Sequence, residues 1–271
     1  IKPTIQNMRR FHLNIKSTLY NYARKQIPSN KPASILEVAA GRGGDLHNIY
    51  RNYFNMLIGM DKHKQSVVEA RKRYTNSKYD KGRLTAYFFQ LDVMDPNVNK
   101  KLSEDLKKKM VQPDSKFNAV SCQFALQHFV PKLKQVLQFM RSRVTLNGVV
   151  FGTTIDGDKV KELLVKDNKY TSPIAEISKK EGADVYSFKL KTENENYYSL
   201  EGISPKEYFF TPTQLRQIAY SAGLKVEAIY PFKNYPRFKS LTPPEKVISN
   251  LYYSFVLRPM TSQEQEIRKE Y

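Results

Sequence analysis

Short apolar runs alternate along this chain with longer stretches in which apolar residues recur every three or four positions. The runs at 35–39, 56–60, 84–91, 117–122 and 148–154 predict strands. The stretches at 45–53, 64–74, near 100–110 and 131–143 predict helices. Strictly alternating elements of this kind predict a mostly parallel sheet with helices on both faces. Ahead of it, Met8–Lys25 reads as a helix, with Phe11, Ile15, Leu19 and Tyr22 on one stripe. The segment Ile27–Pro32 breaks that helix, which therefore serves as a lid or brace. After Thr154 the rhythm changes. Residues 156–180 are polar and predict helix, Val185–Leu190 and Tyr197–Leu200 predict strands, and Thr213–Ala222 predicts another helix. Leu224–Tyr230 and Leu251–Leu257 predict two last strands. The proline-rich stretch Tyr230–Pro244 between them predicts a loop exposing Arg237 and Lys239, a strip suited to RNA. No internal repeat or long linker divides the chain, so 1–271 reads as one domain: a helical lid over 1–30, a first half over 31–155 and a second over 156–271.

Composition adds a partner class. With 40% hydrophobic residues the 271-residue chain can bury a sizeable core, and no apolar run reaches the roughly 20 residues that span a bilayer. The charge of +19 attracts polyanions, which favours nucleic acid over a merely soluble basic surface. No basic amphipathic helix with a clean apolar face favours a membrane surface. The single cysteine, Cys122, sits in an apolar run and reads as a buried thiol. The start at Ile1 has the look of an excised piece, and a cytoplasmic location is expected.

Chemistry concentrates in two stretches. In Ser34–Asp45 an apolar run meets Gly41, Gly43 and Gly44, and a helix starts near Asp45. The next run ends in Asp61, twenty residues after Gly41, the spacing that sets a carboxylate beside the ribose of a nucleoside. Ala39 and Ala40 replace the first glycine of a dinucleotide loop, and the Lys-Ser/Thr pair of a triphosphate loop is missing. A phosphate-free nucleoside such as S-adenosylmethionine fits better than NAD or ATP; a bare turn without ligand is the alternative. The second stretch is Phe117–Phe129, a strand running into a loop with two amides, a histidine and aromatics. There Gln123 can bond a cofactor and Phe124 and His128 can stack on a purine, although Phe124 and Phe129 read equally as core builders. No metal-ligand spacing occurs, and His47 and His63 read as surface residues without partners.

Together these stretches resemble the mRNA cap guanine-N7 methyltransferases. Glu37–Leu46, E-V-A-A-G-R-G-G-D-L, resembles their cofactor loop D-L-G-C-G-K-G-G-D-L. Phe117–Phe129 resembles their F-D-x-x-S-C-Q-F-x-x-H-Y-x-F stretch, and Phe151-Gly152-Thr153-Thr154 their F-x-G-T-T. Phe11–Ser17 resembles F-N-N-x-I-K-S, Leu200–Gly202 with Glu207-Tyr208 resembles the L-E-G and E-Y/F pair, and Tyr252 falls where a tyrosine enters the last strand.

The resemblance implies a Rossmann-like class I methyltransferase fold: a mostly parallel seven-stranded sheet with an N-terminal helix and an inserted β-rich segment. It implies transfer of a methyl group from S-adenosylmethionine to the guanine N7 of capped RNA, without metal or general base. Lys16 would meet the methionine carboxylate, Gly41 and Asp45 would border the cofactor, Asp61 would take the ribose, Asp92 and Val93 would frame the adenine, and Gln123 would face the sulfonium. His12, Phe124, Gln127, His128, Glu207 and Tyr252 would build the guanine pocket, with Glu207 accepting from N1–H and N2–H₂. Lysine- and tyrosine-rich composition suggests the C-terminal part of a multifunctional capping enzyme of a large cytoplasmic DNA virus, with upstream triphosphatase and guanylyltransferase domains. Ala39 departs from the family glycine and puts the close approach to the cofactor in question. Gln127-His128 departs from His-Tyr, and His12 from asparagine. Taken singly, Asp92 also reads as a cap for Met94–Pro96, Glu207 as a surface helix charge and Tyr252 as strand packing. A non-catalytic RNA-binding module of the same shape, or a methyltransferase for another substrate, are the rival functions.

Overall fold

The alternating runs fold as one twisted sheet. A computed structural model gives the fold and describes residues 5–191 and 206–269. In chain order come α1 (Gln6–Lys25), β1 (Ser34–Val38), α2 (Leu46–Arg51), β2 (Met56–Asp61), α3 (Lys64–Thr75), β3 (Thr85–Gln90), α4 (Val98–Lys108), β4 (Phe117–Gln123), α5 (Leu133–Arg143) and β5 (Val144–Ile155). Then follow α6 (Gly157–Leu163), β6 (Lys169–Thr171), β7 (Ala175–Lys179), β8 (Val185–Leu190), β9 (Lys206–Tyr208), α7 (Pro212–Ser221), β10 (Leu224–Pro231), α8 (Pro243–Asn250), β11 (Tyr252–Pro259) and α9 (Ser262–Lys269).

The large sheet has the order β10-β11-β5-β4-β1-β2-β3. Strands β5, β4, β1, β2 and β3 run parallel, and β11 is antiparallel to both its neighbours. From β1 the chain winds first toward β3 and then, starting at β4, the other way. That reversal opens a crevice at the carboxyl ends of the strands, the place where ligands enter such sheets. Neighbouring residues Ile35 and Leu36, and likewise Leu57 and Ile58, enter separate apolar clusters on opposite faces. Strands buried on both faces need apolar residues throughout, which is why they read as unbroken runs. Gly152 serves the packing of β4 on β5, because a Cβ there would lie 1.7 Å from the Cys122 carbonyl oxygen.

Two regions differ from the sequence expectation. Of 156–180, only Gly157–Leu163 is helical; β6 and β7 follow and pair antiparallel with β8 and β9 in a second sheet. Ala175 and Ile177 bury on the same side as Tyr186 and Phe188, so partner strands override the local polarity. The proline-rich loop ends in α8, where Pro243 and Pro244 occupy the first helical positions and Thr242 with Glu245 forms a capping box. Proline is tolerated there because those amides lack intrahelical partners anyway. The candidates Tyr197–Leu200 and Leu200–Gly202 lie outside the described residues. No described helix is long and apolar enough to cross a membrane.

Candidate active site

The sheet brings nearly every candidate residue to one rim. Asp92 follows β3, Asp61 ends β2, the glycine turn follows β1 and Gln123 ends β4. Because β11 runs the other way, its first residue Tyr252 pairs with Ile155 at the end of β5 and so joins the same edge. From the second sheet, Glu207 reaches His128, with 4.0 Å between carboxylate and Nε2. A cavity of about 510 Å³ on this edge is bordered by Asp92, His128 and Tyr208.

The glycine-turn side is built around two carboxylates. Asp61 accepts the Gly41 amide through Oδ2 and the His63 amide through Oδ1, each at 2.9 Å. The His63 ring lies 3.2 Å from the same carboxylate, so His63 does have a partner. Gly41 takes φ +53°, and a Cβ built there would meet nothing within 4 Å, so the turn borders open space. Ala39 adopts φ +56°, the left-handed backbone a glycine would take without cost, and so keeps the loop's path. Lys16 reaches across from α1 to Asp45, with Nζ to Oδ1 2.7 Å. Beneath them Glu37 is buried and receives the Tyr20 hydroxyl, which also contacts Ser121. Burial first, and then the charge of Asp45, hold the Glu37 carboxyl well above the usual carboxylate range. Asp92 accepts the Met94 amide, as its capping alternative foresaw, and Val93 is buried in the core.

The aromatic side gathers residues from α1, β9, α8, β11 and the turns after β4 and β10. His12 of α1 stacks on Phe124 with ring centroids 5.6 Å apart, and Tyr252 and Phe232 pack edge-on against His12. The His12 Nε2 lies 3.0 Å from the Ser249 hydroxyl of α8. Burial pushes the His12 imidazole down to about 3, so the ring is neutral at physiological pH. Phe124 holds φ +54°, rare for an aromatic residue, with its amide tied to the Thr153 carbonyl at 2.8 Å. Gln127 is fixed by bonds to the Phe124 carbonyl and the Thr154 hydroxyl, and Gln123 by bonds to Ser121 and Thr153. Both amides therefore brace the loop. Glu207 is buried in β9 rather than on a surface helix, and its Oε2 has no hydrogen-bond partner among the described residues. Burial raises its carboxyl to about 7, a rise partly offset by Tyr186 and Gln127 beside it. Burial likewise lowers the His128 imidazole.

Sequence reasoning missed Phe232, Tyr186, Ser249 and Glu245. The signal for Glu245 was present as Thr242-Pro243-Pro244-Glu245, a capping-box spacing. Nothing local distinguishes Phe232 or Ser249. Among the described residues, no group of three or more His, Cys, Asp or Glu is placed to hold a metal ion.

Comparison with known proteins adds independent observations. The model of the mRNA (guanine-N(7))-methyltransferase domain matches residues 2–236. The chain is 27% identical over 274 residues to the mRNA cap guanine-N(7) methyltransferase of Schizosaccharomyces pombe, covering 92% of this chain and 69% of that protein. It is 30% identical over 159 residues to the Caenorhabditis briggsae protein of the same name, 56% of this chain and 40% of the relative. The match thus spans well under half the length of that nematode relative. Among solved structures, an S-adenosylmethionine-dependent methyltransferase from Clostridium acetobutylicum superposes with TM-score 0.60 at 12% identity, over 96% of this chain and 93% of the other. The CcbJ methyltransferase from Streptomyces caelestis gives 0.59 at 11% identity, over 89% and 90%. At such identities the likeness is one of fold, a Rossmann-like class I sheet.

Proposed function

The chain belongs to the mRNA (guanine-N(7))-methyltransferase family, and from that premise we propose that it methylates N7 of the guanine cap of mRNA with S-adenosylmethionine. The observation that carries the proposal is the single rim, on which the glycine turn clamped by Asp61 shares an edge with the pocket of His12, Phe124, Tyr252 and Glu207. Open space at Gly41 and the Asp61 carboxylate fit a nucleoside cofactor there. In this reading Asp61 takes the ribose hydroxyls, Lys16 and Asp45 border the methionyl end, Asp92 and Val93 border the adenine, and Gln123 stands at the junction with the cap.

When bound, S-adenosylmethionine supplies a methyl group already activated by its sulfonium. Guanine N7 carries an in-plane lone pair, so no proton has to leave before attack and no general base is required. The chain's part is to align the purine and exclude water, an effect that can supply roughly 7–11 kcal/mol of a barrier. His12 and Phe124 offer flat rings to the base. Glu207 offers an unpartnered acceptor to N1–H and N2–H₂, the edge that separates guanine from adenine. Its negative charge also opposes the positive charge that grows on the purine as the methyl arrives.

Composition supports two finer elements of the proposal. The charge of +19 suits the triphosphate bridge and RNA backbone, and a chain rich in lysine and tyrosine suits the methyltransferase part of a viral capping enzyme acting in the cytoplasm. The lid over 1–30, a cofactor half over 31–155 and a cap half over 156–271 complete the picture. The test is methyl transfer from labelled cofactor to capped RNA by wild type, Asp61→Ala and Glu207→Ala. Loss in both variants supports the shared site, whereas undiminished transfer by both refutes it.

A further inference from the structure

We propose that a groove along α1 binds the sugar–phosphate chain of RNA beyond the cap. The inference rests on the cap-methylation reading and extends it to a surface outside both halves of the rim. The groove encloses about 580 Å³ between α1, the end of α2 and the loop at 235–237. Asn14, Ser17, Thr18 and Asn21 line it from α1, Arg51 from the end of α2, and Arg237 from the loop. Among the described residues no carboxylate lines it. Two guanidinium groups among amides and hydroxyls, with no acid among the described lining residues, form a surface for a polyanion with dispersed charge.

Its position names the polyanion. Phe11 lines one end, and the Phe11 ring stands 5.9 Å from His12 in the aromatic pocket. From Asn14 to Asn21 the helix advances about 10 Å, at 1.5 Å per residue, so the groove leads away from the place where the cap would sit. A cap is joined to its RNA through phosphates, and the nucleotides that follow need such a path. Arg237 is also preset. Its backbone is left-handed, at φ +70°, and its carbonyl accepts both the Ser240 amide at 3.1 Å and the Ser240 hydroxyl at 2.7 Å. Conformations this unfavourable for a non-glycine residue persist where the surroundings fix them, and they concentrate at ligand sites.

The experiment compares wild type with the double variant Arg51→Ala/Arg237→Ala on two substrates, a cap dinucleotide and a capped RNA 20-mer, and measures anisotropy of a labelled uncapped 20-mer. The cap dinucleotide should be methylated within about twofold of wild type, while KM for capped RNA rises about tenfold. The slope of log affinity against log salt for the 20-mer should become shallower by about 1.4, at roughly 0.7 per lost phosphate contact. Equal loss on both substrates, or an unchanged 20-mer affinity and slope, overturns the proposal. Binding of a polyglutamate peptide with the same dependence on both arginines overturns the assignment to RNA. If wild type fails to methylate the cap dinucleotide, the catalytic reading falls, and the anisotropy measurement still decides the groove.

Discussion

The Met8 amide donates to Glu245 Oε1 at 2.9 Å, a bond between residues 237 positions apart. Helix α1 has no side-chain cap of its own at Ile5, so a carboxylate from α8 takes one of its free amides. The other oxygen of Glu245 accepts the Thr242 amide and hydroxyl, at 3.0 and 2.9 Å. One buried side chain therefore caps two helices. With about 0.5–2 kcal/mol per cap, Glu245→Ala should cost roughly 2–3 kcal/mol of stability. Urea unfolding checks this, and a midpoint equal to wild type would contradict it. The same variant should raise KM for the cap, since His12 rides on the undocked helix.

Glu207 sets a pH dependence with two opposite signs. Its carboxyl rises from the ordinary 4.5 to about 7 on burial. The unfolded chain releases that proton near 4.5 and the folded one near 7, so its contribution to stability is full below 4.5 and lost as pH climbs through 7. Cap affinity should run the other way, because only the ionised form accepts both donors of the guanine edge. Affinity for a cap analogue is expected to climb from pH 5.5 toward a plateau above about 7, and Glu207→Gln should flatten both trends. A wild-type affinity that falls across that window would count against Glu207 as the acceptor.

Ala39 pays for the loop's path in strain. A left-handed alanine costs about 1–2 kcal/mol, and glycine gives back about 0.5–1 in chain entropy. Ala39→Gly should therefore stabilise the protein by roughly 0.5–1 kcal/mol and raise Tm by about 2 °C. Calorimetry decides it; a lower Tm would mean that the alanine methyl packs better than its backbone suffers.

Asp61→Ala should weaken cofactor binding about 10- to 100-fold, the worth of hydrogen bonds to a charged group, while leaving cap affinity nearly intact. Removing the carboxylate also orphans the Gly41 and His63 amides, so Asp61→Asn, which can still accept one of them, should fall between. Titration calorimetry with S-adenosylmethionine and with cap analogue separates the two ligands. Equal loss for both would point to a collapsed rim rather than a lost contact.

The central strands were legible because each is buried on two faces and reads as a continuous apolar run. The glycine turn and Asp61 were legible because the chain connects them at a fixed spacing. What escaped belongs to surfaces made by distant segments. β6 and β7 are short and keep one face polar, so their pairing with β8 has no strong local signature. Glu207 lies in a three-residue strand, too brief to show a period. Helix α8 hid behind Pro243 and Pro244, which read as breakers although they begin the helix. Phe232 and Ser249 acquire a role only when α1 docks against them and sets His12 between their side chains.

That docking also fixes an order of events during synthesis. The segment bearing His12 is synthesised 237 residues ahead of Ser249, and Met8 likewise 237 residues ahead of Glu245, so the groups that hold it arrive much later. On the proposed assignment of the site, a nascent chain can form the glycine turn and its Asp61 clamp long before the aromatic pocket has walls. A fragment ending ahead of α8 should accordingly bind cofactor and ignore the cap, making arrival of α8 and β11 the step that confers substrate recognition.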